Sequence, residues 1–356
     1  MLTSASNPCF IPAMASTELM ALLKQTSRSF YLTLRVLPAT VRPQIGLAYL
    51  LARTTDTIAD TELVPVEKRL EALQKLRDRI LGKSTSPLDF GELARQQGSP
   101  AEGVLLEKCE DTLSLLQGCF KTDQELIRSV LDVITSGQEL DLKRFANASQ
   151  KNIVALQSDA ELDDYTYRVA GCVGEFWTRI CRAELFPKPL WENAGLLADG
   201  VRFGKGLQLV NILRDLPADL SKGRCYMPAD ELSKADLVPA DLLQPSNEPR
   251  FRPLYNRYLD MAEAHLAAGW HYTNTIPRSR LRMRLACAWP ILIGIETTKR
   301  LRLENPLDAA KRIKINRAEV RAILLRTVVR YPLPGAWKNL FPQRLQATGK
   351  DVAPAA

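Results

Sequence analysis

Histidine is nearly missing from this chain of 356 residues, which has only His265 and His271. Two imidazoles are too few for ordinary zinc sites, and they are not spaced as an HExxH helix. Serines such as Ser27 and Ser29 therefore lack a histidine partner for nucleophilic catalysis. Phosphate-cradling loops are missing as well. No GxxxxGK[ST] segment occurs, and the GKG at 204–206 follows no strand and lacks a third glycine, so no Rossmann site is supported. No stretch approaches the roughly 20 apolar residues that span a bilayer. The longest, LACAWPILIGI ending at Ile295, contains a proline. The seven cysteines form no CxxC pair, which fits a reducing cytoplasm, and Cys172, Cys181 and Cys287 read as core residues. The first residues lack the basic start and apolar core of a secretory signal. A soluble, cytoplasmic protein is expected.

Alternating strand residues are also lacking, whereas apolar periodicity near 3.6 dominates from Thr17 to about Tyr331. The expected class is all-α. The spacing predicts helices over 17–37 with a break, then 42–61, 65–81, 101–118, 122–145, 160–185, 189–216, 250–275, 280–304 and 316–330. Segments 83–99 and 220–249, rich in Ser, Pro, Gly and charge, read as long loops. The tails, 1–15 and 346–356, are expected to be disordered, and no fixed-period repeat suggests a solenoid.

Acid is abundant, and its placement is informative. Asp56 and Asp60 in RTTDTIADT, and Asp215 and Asp219 in NILRDLPADL, are two pairs with the same four-residue interval. On a helix each pair points two carboxylates from one wall at the same spot. Two such walls facing each other would cage Mg²⁺ and a diphosphate. Chance pairs such as Asp159/Asp163, Glu107/Asp111 and Glu67/Glu71 share the interval but sit at helix beginnings or among polar neighbours, where solvation or the helix dipole explains them. Asp56 and Asp60 instead follow the apolar run IGLAYLLA, and Asp215 follows GLQLVNIL, so both pairs are expected on largely buried helices. Buried like charges need a cation or protons to persist. Tyr49, Arg53, Asp56 and Asp60 recur as one helical stripe, and so do Gln208, Asn211, Asp215 and Asp219.

The net charge is +8, with Lys and Arg crowded into the last third. That region suits anionic substrates, a membrane surface or a solvated helix face. Nucleic acid is not expected, because aromatic residues are not interleaved with the basic ones and no docking motif occurs.

The segments TSRSFYLTLRVLP, AYLLARTTDTIADT, YTYRVAGCVG and LQLVNILRDLPADLSKGRCYMP, in this order, resemble the signature blocks of the squalene/phytoene synthase family over roughly residues 20–330. The resemblance implies a single isoprenoid-synthase catalytic domain, here residues 16–345, that is all-helical around a central cavity. It also implies head-to-head joining of two prenyl diphosphates. By position, Asp56, Asp60, Asp215 and Asp219 match the two Mg²⁺-binding aspartate motifs. Ser27 and Arg28 of SRSF, Arg53, Arg214 and Arg224 match the diphosphate-binding region. Tyr49, Gln208 and Asn211 match cavity-lining polar residues, and Tyr165 matches a tyrosine implicated in the chemistry. Where the family often has a further acid, this chain has Ala59 and Ala218, and Pro217 interrupts the second pair. Within the family the squalene branch is favoured: two farnesyl diphosphates would pass through presqualene diphosphate to squalene, with NADPH as reductant. Phytoene or dehydrosqualene synthase is the alternative, and an enzyme that stops at presqualene diphosphate or releases hydroxysqualene also fits. A product this insoluble implies peripheral association with the inner membrane surface. From another class, a non-catalytic basic helical scaffold binding RNA or membranes would explain the charge but not the carboxylate stripes.

Overall fold

The computed structural model describes residues 21–27, 30–185 and 194–348. Its contacts divide the chain into two compact units. One is Met1–Lys143 with Phe176–Glu192, and the other is Arg144–Glu175 with Asn193–Ala356. The described residues are helical apart from two two-residue strands, an isolated bridge and the connecting turns, as the 3.6 periodicity implied.

In the first unit, residues 21–26 are helical, followed by α1 (Phe30–Val36), α2 (Arg42–Asp60), α3 (Val66–Ile80), α4 (Gly91–Arg95), α5 (Pro100–Glu107), α6 (Cys109–Gln117) and α7 (Lys121–Arg144). Helix α2 starts with Pro43 in its first turn, where a missing N–H costs nothing. Leu47, Leu50, Leu51 and Ile58 lie fully buried along it, each worth about 1.5–3 kcal/mol of burial. It packs against α3, α5 and α6. Its C-terminus is tied down by buried Arg69 of α3, which donates to the Ala59 carbonyl at 2.7 Å. The helix expected over 101–118 is broken at Lys108 (φ −91°, ψ 18°), which leaves α5 and α6 as separate pieces. Residues 83–99 are not wholly loop, since α4 lies within them.

The second unit contains β1 (Val154–Ala155), α8 (Asp159–Thr166), a π-helical turn (Tyr167–Gly171), the first turn of α9 (Cys172–Leu185) and α10 (Ala194–Ser221). Then come β2 (Arg224–Cys225), α11 (Ala229–Lys234), α12 (Glu248–Thr275), α13 (Leu281–Leu303), α14 (Arg317–Arg330), α15 (Pro334–Lys338) and α16 (Gln343–Thr348). Helix α12 lies along both α10 and α13. Tyr255 and Tyr258 of α12 are completely buried, and the Tyr255 hydroxyl donates to the Leu213 carbonyl at 3.0 Å. At the C-terminal end Trp270 stacks on Trp337 and Phe341, with centroids 5.4 and 5.5 Å away.

Two further expectations need correction. The segment 220–249 is not one long loop: it holds β2, α11 and two 3-10 turns, and β2 pairs in parallel with β1. Strands of two residues carry no periodicity to read. Helix α10 does not stop at 216 but runs through Pro217 to Ser221, because one lost hydrogen bond is tolerated in a helix anchored by tertiary packing. The start expected at 189 lies outside the described residues. The cysteines Cys109, Cys119, Cys172, Cys181, Cys225 and Cys287 are all buried and form no disulfide.

Candidate active site

In the first unit the predicted stripe exists as drawn: Tyr49, Arg53, Asp56 and Asp60 all lie on α2, with Asp60 its last residue. Arg53 donates to Asp56 and, through its other terminal nitrogen, to Glu102 of α5. A guanidinium is thereby fixed between two carboxylates. The Tyr49 ring stacks on Phe30 at 4.8 Å, and its hydroxyl donates to the Thr26 carbonyl at 3.4 Å. Ser27 is buried, and its hydroxyl donates to the Leu23 carbonyl. Arg28 lies outside the described residues.

The helix is largely buried, and solvent reaches its two carboxylates to different extents. Asp60 is exposed, and the Asp56 side chain is 42% accessible. Surrounding protein still governs Asp56: burial first, and the Asp60 charge second, push its carboxyl up to about 7 against the lowering by Arg53. A solvent-reached carboxyl that resists ionising beside a like charge suits a cation.

In the second unit Gln208, Asn211, Arg214, Asp215 and Asp219 lie on α10, and Asp219 keeps its helical place despite Pro217. Gln208, Arg214, Asp215 and Asp219 are half-buried, whereas Asn211 is exposed. Arg214 grips Asp215 with two nitrogens, Nε at 2.9 Å from Oδ1. Helix α10 ends in a turn at Gly223, whose φ of +81° is a left-handed conformation that other residues adopt only with strain. A Cβ there would also lie 2.2 Å from the Ser149 nitrogen. The turn places Arg224 on β2, opposite Val154.

Tyr165 is buried near the end of α8, just before the π-helical turn. Its ring stacks on Tyr226 at 4.8 Å, and the two hydroxyls are 3.4 Å apart. Phe145 meets Tyr226 edge-on at 5.3 Å. A π-turn inside a helix is a local irregularity that often marks functional sites. Glycines allow what lies beyond it: a Cβ on Gly174 would meet the Gly200 oxygen at 1.8 Å, and one on Gly204 the Ala170 oxygen at 2.1 Å. The GKG segment thus serves helix crossing.

Sequence reasoning missed Glu102 and Tyr226. Nothing local marks Glu102, whose partner is 49 positions away. Tyr226 stood inside the quoted KGRCYMP, where an aromatic among polar residues was its only signal. The chance pairs behave as surface charges: Asp163 is 63% exposed and pairs with Lys205 at 2.6 Å, and Glu107 and Asp111 stand on different helices. Among the described residues no group of three or more His, Cys, Asp or Glu side chains is placed to hold a metal ion. Two carboxylates per helix still fit Mg²⁺, which keeps several waters and takes phosphate oxygens.

Comparison with known proteins gives these residues their setting. The model of the squalene/phytoene synthase family matches residues 23–319. The presqualene diphosphate synthase of Zymomonas mobilis is 29% identical over 305 residues, covering 85% of this chain and 90% of that protein. The presqualene diphosphate synthase of Rhodopseudomonas palustris is 30% identical over 254 residues, covering 70% and 76%. Other curated relatives include phytoene and squalene synthases, and the chain spans 40% of the length of the bifunctional lycopene cyclase/phytoene synthase of Leptosphaeria maculans. Among solved structures, that of TcSQS with a bound ligand superposes with a TM-score of 0.74 at 20% identity, covering 96% of this chain and 93% of that one. The fold is the all-α fold of the isoprenoid synthases. With more than half its length matched by the family model, the chain belongs to the squalene/phytoene synthase family.

Proposed function

We propose that this prenyltransferase joins two farnesyl diphosphates head to head, with presqualene diphosphate as the first product and squalene as the end product where NADPH reduces it. The observation that carries the reading is that each aspartate motif holds its own arginine, Arg53 on Asp56 and Arg214 on Asp215. Carboxylates to draw a cation and guanidiniums to grip phosphate oxygens thus stand together. Asp56, Asp60, Asp215 and Asp219 are the proposed ligands. Mg²⁺, when bound, would offset the charge that builds on the departing diphosphate.

The chain's own residues do the rest. Arg53, held by Glu102, and Arg214 bind diphosphate oxygens, joined by Arg28 and Arg224; Ser27, Tyr49, Gln208 and Asn211 complete the polar lining. Fixed guanidiniums need no reorientation as charge develops, an effect worth about 3 kcal/mol for a single well-placed donor. When the allylic C–O bond breaks, the double bond of the second substrate forms the new C–C bond. Loss of a proton then closes the cyclopropane. Tyr165, with Tyr226 3.4 Å away, is the proposed acceptor of that proton, alongside the released diphosphate. Buried Leu209 and Leu213 on α10 supply apolar surface that keeps water from quenching the cation. Residues 16–345 act as one catalytic domain.

The similarity to two presqualene diphosphate synthases favours release of that intermediate over its reduction. No helix among the described residues is long and apolar enough to cross a membrane. A cytoplasmic enzyme bound peripherally to the inner membrane surface accords with that and with the insolubility of the product. The test is incubation of the purified protein and Mg²⁺ with farnesyl or geranylgeranyl diphosphate, with and without NADPH, followed by product identification. Diphosphate release with presqualene diphosphate is the expected result, and a further NADPH-dependent step marks a squalene synthase. Phytoene from geranylgeranyl diphosphate would replace this reading, and no Mg²⁺-dependent release would leave a basic scaffold.

A further inference from the structure

Helix α14 carries an apolar face outward. Ala318, Ala322, Leu325 and Val329 recur at intervals of four, three and four, one stripe of the helix. Leu325 and Val329 are 67% and 64% exposed, with Val328 beside them at 48% and Leu333 just beyond the helix at 62%. The opposite side, Ile323 and Thr327, is buried against the protein. Helical geometry puts Arg321 and Arg317 about 40° and 80° to one side of Leu325, and Arg326 and Arg330 about 100° and 140° to the other. All four arginines are exposed, and none has an acidic partner among the described residues. The one acid of the helix, Glu319, is taken up by Arg300 and by the backbone N–H of the capping residue Asn316. Just past the helix, Arg278 donates to the Tyr331 and Pro332 carbonyls at 3.0 and 3.1 Å, which fixes the chain that presents Leu333.

We propose that this face of α14 docks on an anionic phospholipid bilayer. The apolar stripe would lie at the acyl boundary, and the arginines would reach from both flanks to headgroup phosphates. Its length, about 21 Å for 14 residues, suits a helix lying in the interface. Charge decides the occupant. A second copy packed through the same patch would bring eight arginines together with no acid beside them but the two copies of Glu319, each already held by Arg300, whereas an anionic leaflet neutralises all four. The proposal gives a surface to the peripheral attachment argued above, and it stands on α14 alone, whatever chemistry the aspartates perform.

The test is flotation of the full-length protein with vesicles of phosphatidylcholine alone or mixed with phosphatidylglycerol. Binding to the anionic vesicles only, weakening as salt is raised, is expected. Each arginine near such a surface is worth about a fivefold change in partitioning, so Arg321→Gln with Arg326→Gln should weaken flotation about 25-fold. Leu325→Glu with Val329→Glu should abolish it. These variants should retain wild-type helicity and diphosphate release in detergent, which keeps loss of binding distinct from misfolding. Equal binding to neutral vesicles, or unchanged flotation of the glutamate variant, would overturn the proposal. So would a wild-type dimer, seen by sedimentation, that the glutamate variant dissolves.

Discussion

Asp56 is held in a conflict that a proton or a cation relieves. Its carboxyl, pushed up to about 7 by burial and by Asp60, is favoured neutral in the folded chain. For an acid with a raised folded-state value, the stabilisation is fully present at low pH and is lost as pH rises through about 7. At pH 8 the metal-free protein carries the full penalty. Asp56→Asn should therefore reduce Mg²⁺-dependent turnover by about 100-fold or more, while the metal-free thermal midpoint at pH 8 stays at or above wild type. That advantage should shrink toward pH 5. A midpoint that drops at pH 8 would instead make Asp56 a structural partner of Arg53. Asp163→Asn, which removes an exposed carboxylate from the largely buried Lys205, should change turnover by less than about twofold. Glu102 touches Arg53, and its proposed role is to position that guanidinium. Glu102→Gln should lower kcat for the prenyl diphosphate about tenfold with KM little changed, since a loosened Arg53 must reorient as charge develops on the leaving group. A rise in KM with kcat unchanged would argue that Glu102 only helps to hold the bound substrate.

Helices α9 and α10 owe their crossing to the absence of side chains. Gly174→Ala would place a methyl 1.8 Å from a backbone oxygen, a clash that must move one helix, at a cost of about 1–3 kcal/mol or more. The urea midpoint should fall accordingly, whereas Gly98→Ala, with nothing within 4 Å, should barely shift it. Equal effects of the two changes would show that the crossing relaxes freely. The long periodic elements were legible because each buries one face: Leu47, Leu50, Leu51 and Ile58 announce α2 without any knowledge of its neighbours. The two aspartate stripes were legible for the same reason, since i, i+4 spacing survives folding. What stayed hidden depends on distant chain. The break at Lys108 has no proline or glycine, the Arg53–Glu102 pair joins positions 49 apart, and the β1–β2 pairing is two residues long. The half-exposed state of the carboxylates was misjudged because neighbouring apolar residues report burial of a helix, not of each of its faces.

At the scale of the whole molecule, folding is expected to proceed without the proposed metal. Both units are built around apolar cores, and no described cluster of three or more ligating side chains binds a metal as a structural element. Chelation by EDTA should therefore stop diphosphate release while leaving the helical circular dichroism unchanged. The donor set makes a sharper claim. Two carboxylates from a helix leave most of the coordination shell of Mg²⁺ to water or to phosphate oxygens, so the ion alone should bind weakly. In the proposed site inorganic diphosphate would supply the missing oxygens and pair with the arginine of the motif, so each ligand should strengthen the other, and by the same factor. In thermal unfolding, Mg²⁺ alone and diphosphate alone should each shift the midpoint little. Both together at about 100 times their joint Kd should add about 2.7 kcal/mol of stability. Asp215→Asn should erase that joint shift while keeping the small one from diphosphate alone. A full shift from Mg²⁺ alone would mean that the protein holds the metal without substrate, and the aspartate pairs would then be a resident metal centre.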